Sequence, residues 1–198
     1  DLVRSRGLGD VYKRQGYCVP KNVYTNNDLT RFMDTSDEWI QERTGIKERR
    51  YADRLGETTT TMAIEASKIA IERANTTAEE IDFVIFATLS PDYYFPGCGV
   101  LLQREMGMKE IGALDIRNQC SGFIYAISVA DQFIKTGMYK NILVVGSEKK
   151  SFAMDFATRS RSVSVIFGDG AGAQLGAVSK KRWHVARRLR YKSSTGRR

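Results

Sequence analysis

The chain is poor in the residues that would point to a stapled, metal-bound or membrane-spanning protein. Its 198 residues include three Cys, three Pro and one His. The cysteines, at 18, 98 and 120, are odd in number, widely spaced and contain no C-x-x-C pair, so they give no disulfide framework and imply reduced thiols in the cytoplasm. With His184 as the lone histidine, a zinc site lacks ligands, and no metal is expected. No apolar run approaches the ~18 residues of a membrane span, and no basic stretch leads into an apolar one as in a signal peptide. Low Pro with 10% aromatics and 42% apolar residues excludes disorder and provides for a substantial core.

The net charge of +8 invites a reading as a nucleic-acid or membrane-surface binder, but its distribution removes that reading. Residues 179–198 hold nine Lys or Arg and no acid, and residues 1–15 hold four bases and two acids, which leaves the intervening 163 residues at −3. Neither nucleic acid nor membrane is expected as a partner. The chain opens on Asp1, and its composition changes abruptly after Val178. Three segments are therefore expected: a non-native leader at 1–15, a folded lobe at 16–178, and a basic tail at 179–198 that is disordered or a frameshift product.

Within the lobe, helical and extended patterns alternate. Thr35 and Glu38 have capping-box spacing ahead of a short helix stopped by Gly45. Thr58 to Ala74 repeats Met62, Ala63, Ala66, Ile69, Ala70 and Ala74 at helical spacing, with small residues suited to close packing on a sheet. Ile81 to Thr88 is a continuous apolar run of the kind found in strands covered on both faces. Helices are expected at Gly97 to Glu105 and at Ser121 to Thr136, where Phe123, Ile124, Ile127, Ala130, Phe133 and Ile134 recur, and strands at Gly112 to Ile116 and Asn141 to Ser147. A hairpin is expected from Ser162 to Phe167 and Ala171 to Val178 around G-D-G-A-G. Gly168, Gly170 and Gly172 there read as structural, because they open no helix and lack the lysine of a phosphate loop. Strands joined through long helices imply parallel crossovers, hence an α/β class with a mostly parallel sheet and helices on both faces.

One segment carries chemistry. In A-L-D-I-R-N-Q-C-S-G-F-I-Y-A a strand ends near Ile116, the chain turns, and Cys120 falls at the start of a long helix. Ligands of open α/β sheets bind outside the carboxyl ends of the strands, and a helix N-terminus favours a thiolate. Cys120 is therefore a candidate nucleophile for acyl transfer, set against burial as a small hydrophobe, the ordinary fate of cysteine and the reading given to Cys18 and Cys98.

Several blocks occur together and in order: D-T-S-D-E-W-I-Q-E-R-T-G-I-K-E-R-R from Asp34, F-P at Phe95, C-S-G-F-I-Y-A from Cys120, S-V-A-D-Q-F-I-K-T-G from Ser128, L-V-V-G-S-E from Leu143 and V-I-F-G-D-G-A-G-A from Val165. With these blocks, residues 16–178 resemble the N-terminal half of β-ketoacyl-acyl carrier protein synthase III. The resemblance implies a thiolase-like fold, one half of an αβαβα layered arrangement. It implies that Cys120 takes a short acyl group from coenzyme A and condenses it with malonyl-acyl carrier protein, releasing CO₂, to start fatty-acid synthesis. It further implies that the Cys120 N–H serves the oxyanion hole, and that Thr35, Trp39, Arg43 and Arg161 hold the coenzyme A substrate, Trp39 and Arg161 flanking its adenine. No permanently bound cofactor is implied. Phe95 would reach across a homodimer into the partner's acyl pocket.

Departures accompany the match. The family's catalytic His and Asn and its other oxyanion donor come from a second half beyond these blocks, and His184 matches no motif for that role. The family's first strand is expected to be replaced by residues 1–15. A lone half should expose apolar surface that its twin covers, with self-acylation at best. Asn118 and Gln119 are bulkier than the small residues common before the Cys, which bears on acyl preference. Other thiolase-fold condensing enzymes, of polyketide-starter, olefin-forming or hydroxymethylglutaryl-coenzyme A synthase type, are the alternatives, with a non-catalytic basic binding module a third.

Overall fold

The computed structural model describes residues 14–177 except residue 54; the leader, apart from its last two residues, and the basic tail lie outside them. Among the described residues seven strands and six α-helices run in the order β1 (Gln15–Cys18), β2 (Val23–Thr25), α1 (Asn26–Leu29), α2 (Asp37–Thr44), β3 (Glu48–Arg50), α3 (Thr59–Arg73), β4 (Phe83–Ala87), α4 (Cys98–Glu105), β5 (Gly112–Ile116), α5 (Gly122–Lys135), β6 (Asn141–Glu148), α6 (Arg161–Ser164) and β7 (Gly170–Ala177). Five strands form one sheet in the order β1-β7-β6-β4-β5, and β2 and β3 pair separately. β4 is parallel to both β5 and β6, while β7 is antiparallel to β6 and β1, so four of the five strands run one way.

The alternation along β4 explains why its sequence is apolar throughout. Val84 and Phe86 face α3 and α4 in a cluster with Met62, Ala66, Ala70 and Leu102. Phe83, Ile85 and Ala87 face α5, packing with Ala126 and Ala130. Helices therefore cover both faces, as expected of parallel crossovers. α3 is held by Thr58, whose hydroxyl accepts from the Thr61 N–H, and by Asp92, whose carboxylate accepts from the Thr59 and Thr60 N–H groups at 2.9 and 2.8 Å. Its buried stripe includes Ile71 where the sequence pattern favours Ile69, which is only half-buried.

Three expectations are corrected. Residues 162–167 form no hairpin arm: Arg161–Ser164 is a helical turn, and β7 pairs with β6 and β1 instead. Asp169 decides this, because its carboxylate accepts from the Ala52 and Ser151 N–H groups at 2.8 and 2.9 Å, tying the glycine-rich corner into the core. The helix bearing Trp39 is capped by Ser36, whose Oγ accepts from the Trp39 N–H at 3.1 Å, and not by Thr35, one residue outside the cap. Its Gly45 stop is as expected, in the left-handed region at φ 71°. An edge strand does exist at Gln15–Cys18, so the lobe's sheet begins with β1. These four residues, like β2 and β3, are too short to leave a periodic signal.

On α5, Ile124 and Tyr125 point away from the sheet, with 51% and 55% of their surface exposed. A 3.6-residue period brings Phe123, Ala126, Ile127, Ala130, Phe133 and Ile134 inward and leaves 124, 125 and 128 outside. Ile124 and Tyr125 thus form an exposed apolar face on α5 among the described residues. Among the described residues no helix is long and apolar enough to cross a membrane.

α4 is oriented toward the sheet by a carboxylate. Asp115 on β5 accepts from the Cys98 and Gly99 N–H groups at 2.7 and 2.8 Å, in the position of a helix cap. Asp115→Ala is expected to cost about 1–2 kcal/mol, read from a denaturant melt; stability equal to the parent would show that the cap contributes nothing.

Candidate active site

Cys120 is exposed and lies in the turn Gln119–Ser121 that leads directly into α5. The turn is seated over the carboxyl ends of the parallel strands. A Cβ on Gly122 would stand 3.4 Å from the Ala87 Cβ at the end of β4, and one on Gly146 of β6 would stand 3.0 Å from the Phe123 ring. Gly122 and Gly146 thus admit the head of the helix close to the sheet, so that the thiol stands at the strand ends. Gln119 has φ +40°, in the left-handed region that non-glycine residues seldom occupy. This conformation sits between strand and helix, directly before the exposed Cys120. The position of Cys120 was legible from the strand-turn-helix order; the backbone of Gln119 was not, since nothing in its side chain favours positive φ.

The other two thiols are unlike it. Cys98 is buried in the α3/α4 cluster, and burial pushes its thiol up, with the nearby Asp92 and Asp115 charges acting in the same direction. Cys18 is also raised, by burial first and then by Glu65 and Glu57. Both are poorer sources of thiolate than an ordinary cysteine.

A second group forms around Trp39 on α2. The Arg43 guanidinium carbon lies 4.3 Å from the centre of the Trp39 ring, and that of Arg161, at the start of α6, lies 4.7 Å from it. Each such contact contributes roughly 0.5–1 kcal/mol at an exposed site. Arg161 also donates to the Asp34 carbonyl, and the Asp34 N–H donates to the Thr158 hydroxyl at 2.9 Å. Arg43 donates to the Trp39 carbonyl at 3.2 Å. Trp39 packs on one side against the Leu29, Met33, Ile40 and Val165 cluster, so it is a core residue and an aromatic platform together. Thr35 stands beside this group with its hydroxyl buried and without a hydrogen-bond partner. An aromatic surface flanked by two guanidiniums can stack a heteroaromatic ring and attract phosphate. Trp39, Arg43 and Arg161 are thus brought together, and Thr35 follows Asp34, to whose carbonyl Arg161 donates; among the described residues no hydrogen bond or ion pair links them to Cys120.

Phe95 is not in the core: 90% of it is exposed, on the loop between β4 and α4. In the same loop Tyr94 stacks under Arg117, whose guanidinium carbon is 4.9 Å from the ring, two residues before the Cys120 turn. This pair escaped the sequence reading, because the 23-residue separation carries no signal. The glycine-rich corner is structural through Gly168, where a Cβ would come within 3.3 Å of Arg49, and Gly170, at 3.3 Å from the Cys18 carbonyl; Gly172 has open space and needs no such explanation.

A four-to-one sheet with helices on both faces, and an exposed thiol on the turn at the head of α5, place the described residues in the α/β class, with a thiolase-like fold. Comparison with known proteins extends the resemblance. The family model for 3-oxoacyl-[acyl-carrier-protein] synthase III matches residues 114–188. β-Ketoacyl-[acyl-carrier-protein] synthase III of Aquifex aeolicus is 53% identical over 158 residues, which cover 80% of this chain and 50% of that protein. A Bacillus anthracis enzyme of the same name is 50% identical over 83% of this chain and 53% of its own length. The crystal structure of the A. aeolicus 3-oxoacyl-[acyl-carrier-protein] synthase III superposes with a TM-score of 0.81, 51% identity, and coverage of 84% of this chain and 53% of that one. The resemblance to β-ketoacyl-acyl carrier protein synthase III therefore extends through the described lobe, and the chain spans about half the length of the curated relatives it matches.

Proposed function

We propose that the protein of which this lobe is part loads a short acyl group from an acyl-coenzyme A onto Cys120 and condenses it with malonyl-acyl carrier protein to begin fatty-acid synthesis. The observation that carries the reading is the exposed Cys120 on the turn at the head of α5. The names borne by its relatives support it.

The chemistry balances on this lobe's residues and two substrates. The Cys120 thiolate attacks the thioester carbonyl, and the oxyanion of the tetrahedral intermediate meets the Cys120 backbone N–H. Collapse breaks the bond to coenzyme A, which leaves as a thiolate and takes up the proton that the cysteine lost. Malonyl-acyl carrier protein then gives up CO₂, its carbanion forms the new carbon–carbon bond at the acyl carbonyl, and Cys120 leaves as a thiolate. Thr35, Trp39, Arg43 and Arg161 bind the nucleotide end of coenzyme A. Phe95 enters a partner's acyl pocket in a homodimer, for which its exposure leaves it available. The other half of the protein supplies the His, the Asn and the second oxyanion donor, and covers Ile124 and Tyr125. Residues 16–178 make up the lobe together with Gln15 at the start of β1, with the rest of 1–15 and 179–198 additional to it. Three unpaired thiols fit a cytoplasmic location.

Mixed with acetyl-coenzyme A, the full chain is expected to gain one acetyl group at Cys120 and release one equivalent of coenzyme A; a chain that binds coenzyme A and stays unmodified overturns the covalent part. Trp39→Ala is expected to weaken coenzyme A binding about 10-fold in a calorimetric titration, the loss of one stacked surface with its two cation contacts. Unchanged affinity would place the nucleotide elsewhere.

A further inference from the structure

Arg49 on β3 is an unusual core residue. Only 6% of it is exposed, and among the described residues no carboxylate pairs with it. A buried cation without a counter-charge is costly, and persists where its donors satisfy several carbonyls at once. Its Nη2 donates to the Asn26 side-chain oxygen at 2.7 Å and to the Val165 carbonyl at 3.2 Å. Its Nη1 reaches the Tyr24 carbonyl at 3.3 Å.

Those acceptors lead to the two halves of the Trp39 group. Asn26, itself 1% exposed, donates from its amide nitrogen to Asp37 at 2.7 Å and to the Ile46 carbonyl at 2.7 Å. Asp37 is the first residue of α2, which carries Trp39 and Arg43, and it also accepts from Gln41 at 2.7 Å. Val165 is the C-terminal cap of α6, and its N–H donates to the carbonyl of Arg161. A single guanidinium nitrogen therefore ties the helix that carries the aromatic ring to the turn that carries the arginine stacked on it. The rest of that contact is exposed: 34% of the Arg161 side chain is open, and its ion-pair partner Asp34 is 89% open at 3.9 Å. Such surface pairs contribute little to geometry, so the buried link, together with the packing of Trp39 against the cluster that holds Val165, fixes the spacing.

We propose that Arg49, acting through Asn26 and Val165, is the positioning residue of the Trp39–Arg161 clamp and thereby sets the affinity for the nucleotide end of the coenzyme A thioester. The ligand rests on the function proposed above; the mechanical part does not. Lysine substitutes only in part, because one ammonium lacks the planar fork that serves Asn26, Val165 and Tyr24 together.

The test uses the full chain carrying Trp183→Phe, so that Trp39 is the only tryptophan and is excited selectively over the tyrosines. Arg49→Met is expected to make Trp39 more accessible to acrylamide without ligand, and to weaken coenzyme A binding about 10-fold. Arg49→Lys should recover part of both. Asn26→Ala, which cuts the link to α2 and leaves Arg49 in place, should shift both in the same direction and carries the test if Arg49→Met does not fold. Leu102→Ala, in the separate α3/α4 cluster, should lower the melting temperature and leave both readouts alone. Arg49→Met or Asn26→Ala with parent-like quenching and affinity overturns the proposal, as does an equal change in Leu102→Ala. A parent that fails to bind coenzyme A overturns the ligand reading, while the quenching series still judges the clamp.

Discussion

Cys120→Ala is expected to abolish acetyl transfer from acetyl-coenzyme A to the chain, so that the mass of the intact protein no longer increases by one acetyl group. The loss should be complete, because the remaining thiols cannot take over. Cys98 is buried in the α3/α4 cluster and Cys18 lies beside Glu65 and Glu57, and each is held further toward the protonated thiol than an ordinary cysteine. Cys120→Ser should give almost no adduct either, since a hydroxyl without an adjacent base is a far weaker nucleophile at neutral pH. Coenzyme A binding should survive both changes, because Trp39, Arg43 and Arg161 are untouched. Labelling that persists in Cys120→Ala would move the nucleophile elsewhere and remove the basis of the proposed reaction.

Gly16→Ala should be the most damaging single methyl in the lobe. A Cβ at this position would stand 2.0 Å from the Ala66 carbonyl oxygen, 2.7 Å from the Ala70 nitrogen and 2.8 Å from the Ile69 Cβ. Two of the three atoms are helix backbone, which cannot rotate aside, so β1 or α3 must move. Overpacking against side chains costs typically 1–3 kcal/mol, and against rigid backbone about 3 kcal/mol or more is expected. Chemical denaturation of the full chain should show this as a lowered midpoint. A midpoint within experimental error of the parent would mean that β1 does not pack on α3 as described. The same contact explains the small residues along α3: Ala63, Ala66 and Ala70 let the helix lie against the strand where larger side chains would hold it off.

Much of this was legible in the chain. β4, β6 and helices α3, α4 and α5 follow from apolar runs and periods, because each buries a face whose repeat is written in consecutive residues; β5, at the sheet edge with no buried residue, follows from its short apolar run alone. The head of α5 follows from the order of strand, turn and helix, and with it the candidate nucleophile. Periodicity did not reach β1, β2 and β3, whose three or four residues are ordered by partners far along the chain. It misjudged residues 162–167, where a β-branched run was overruled by the tie from Asp169 to Ala52 and Ser151. It gave Thr35 the cap that belongs to Ser36, because adjacent hydroxyl residues differ only in which one the backbone leaves outside the helix.

The amino-acid sequence by itself determined the class of the lobe, the place of Cys120 at a helix head, and the separation of the basic ends from a mildly acidic body. These are local properties of pattern and composition. Tertiary structure alone decided that Arg43 and Arg161 close on the ring of Trp39, that Arg49 and Asn26 hold that arrangement from beneath, and that Phe95, Ile124 and Tyr125 are exposed. Such contacts join residues far apart in the chain, as does the bond from Arg161 to the Asp34 carbonyl across 127 positions, and what selects them is how the layers pack and which buried polar groups find partners, neither of which any single segment specifies.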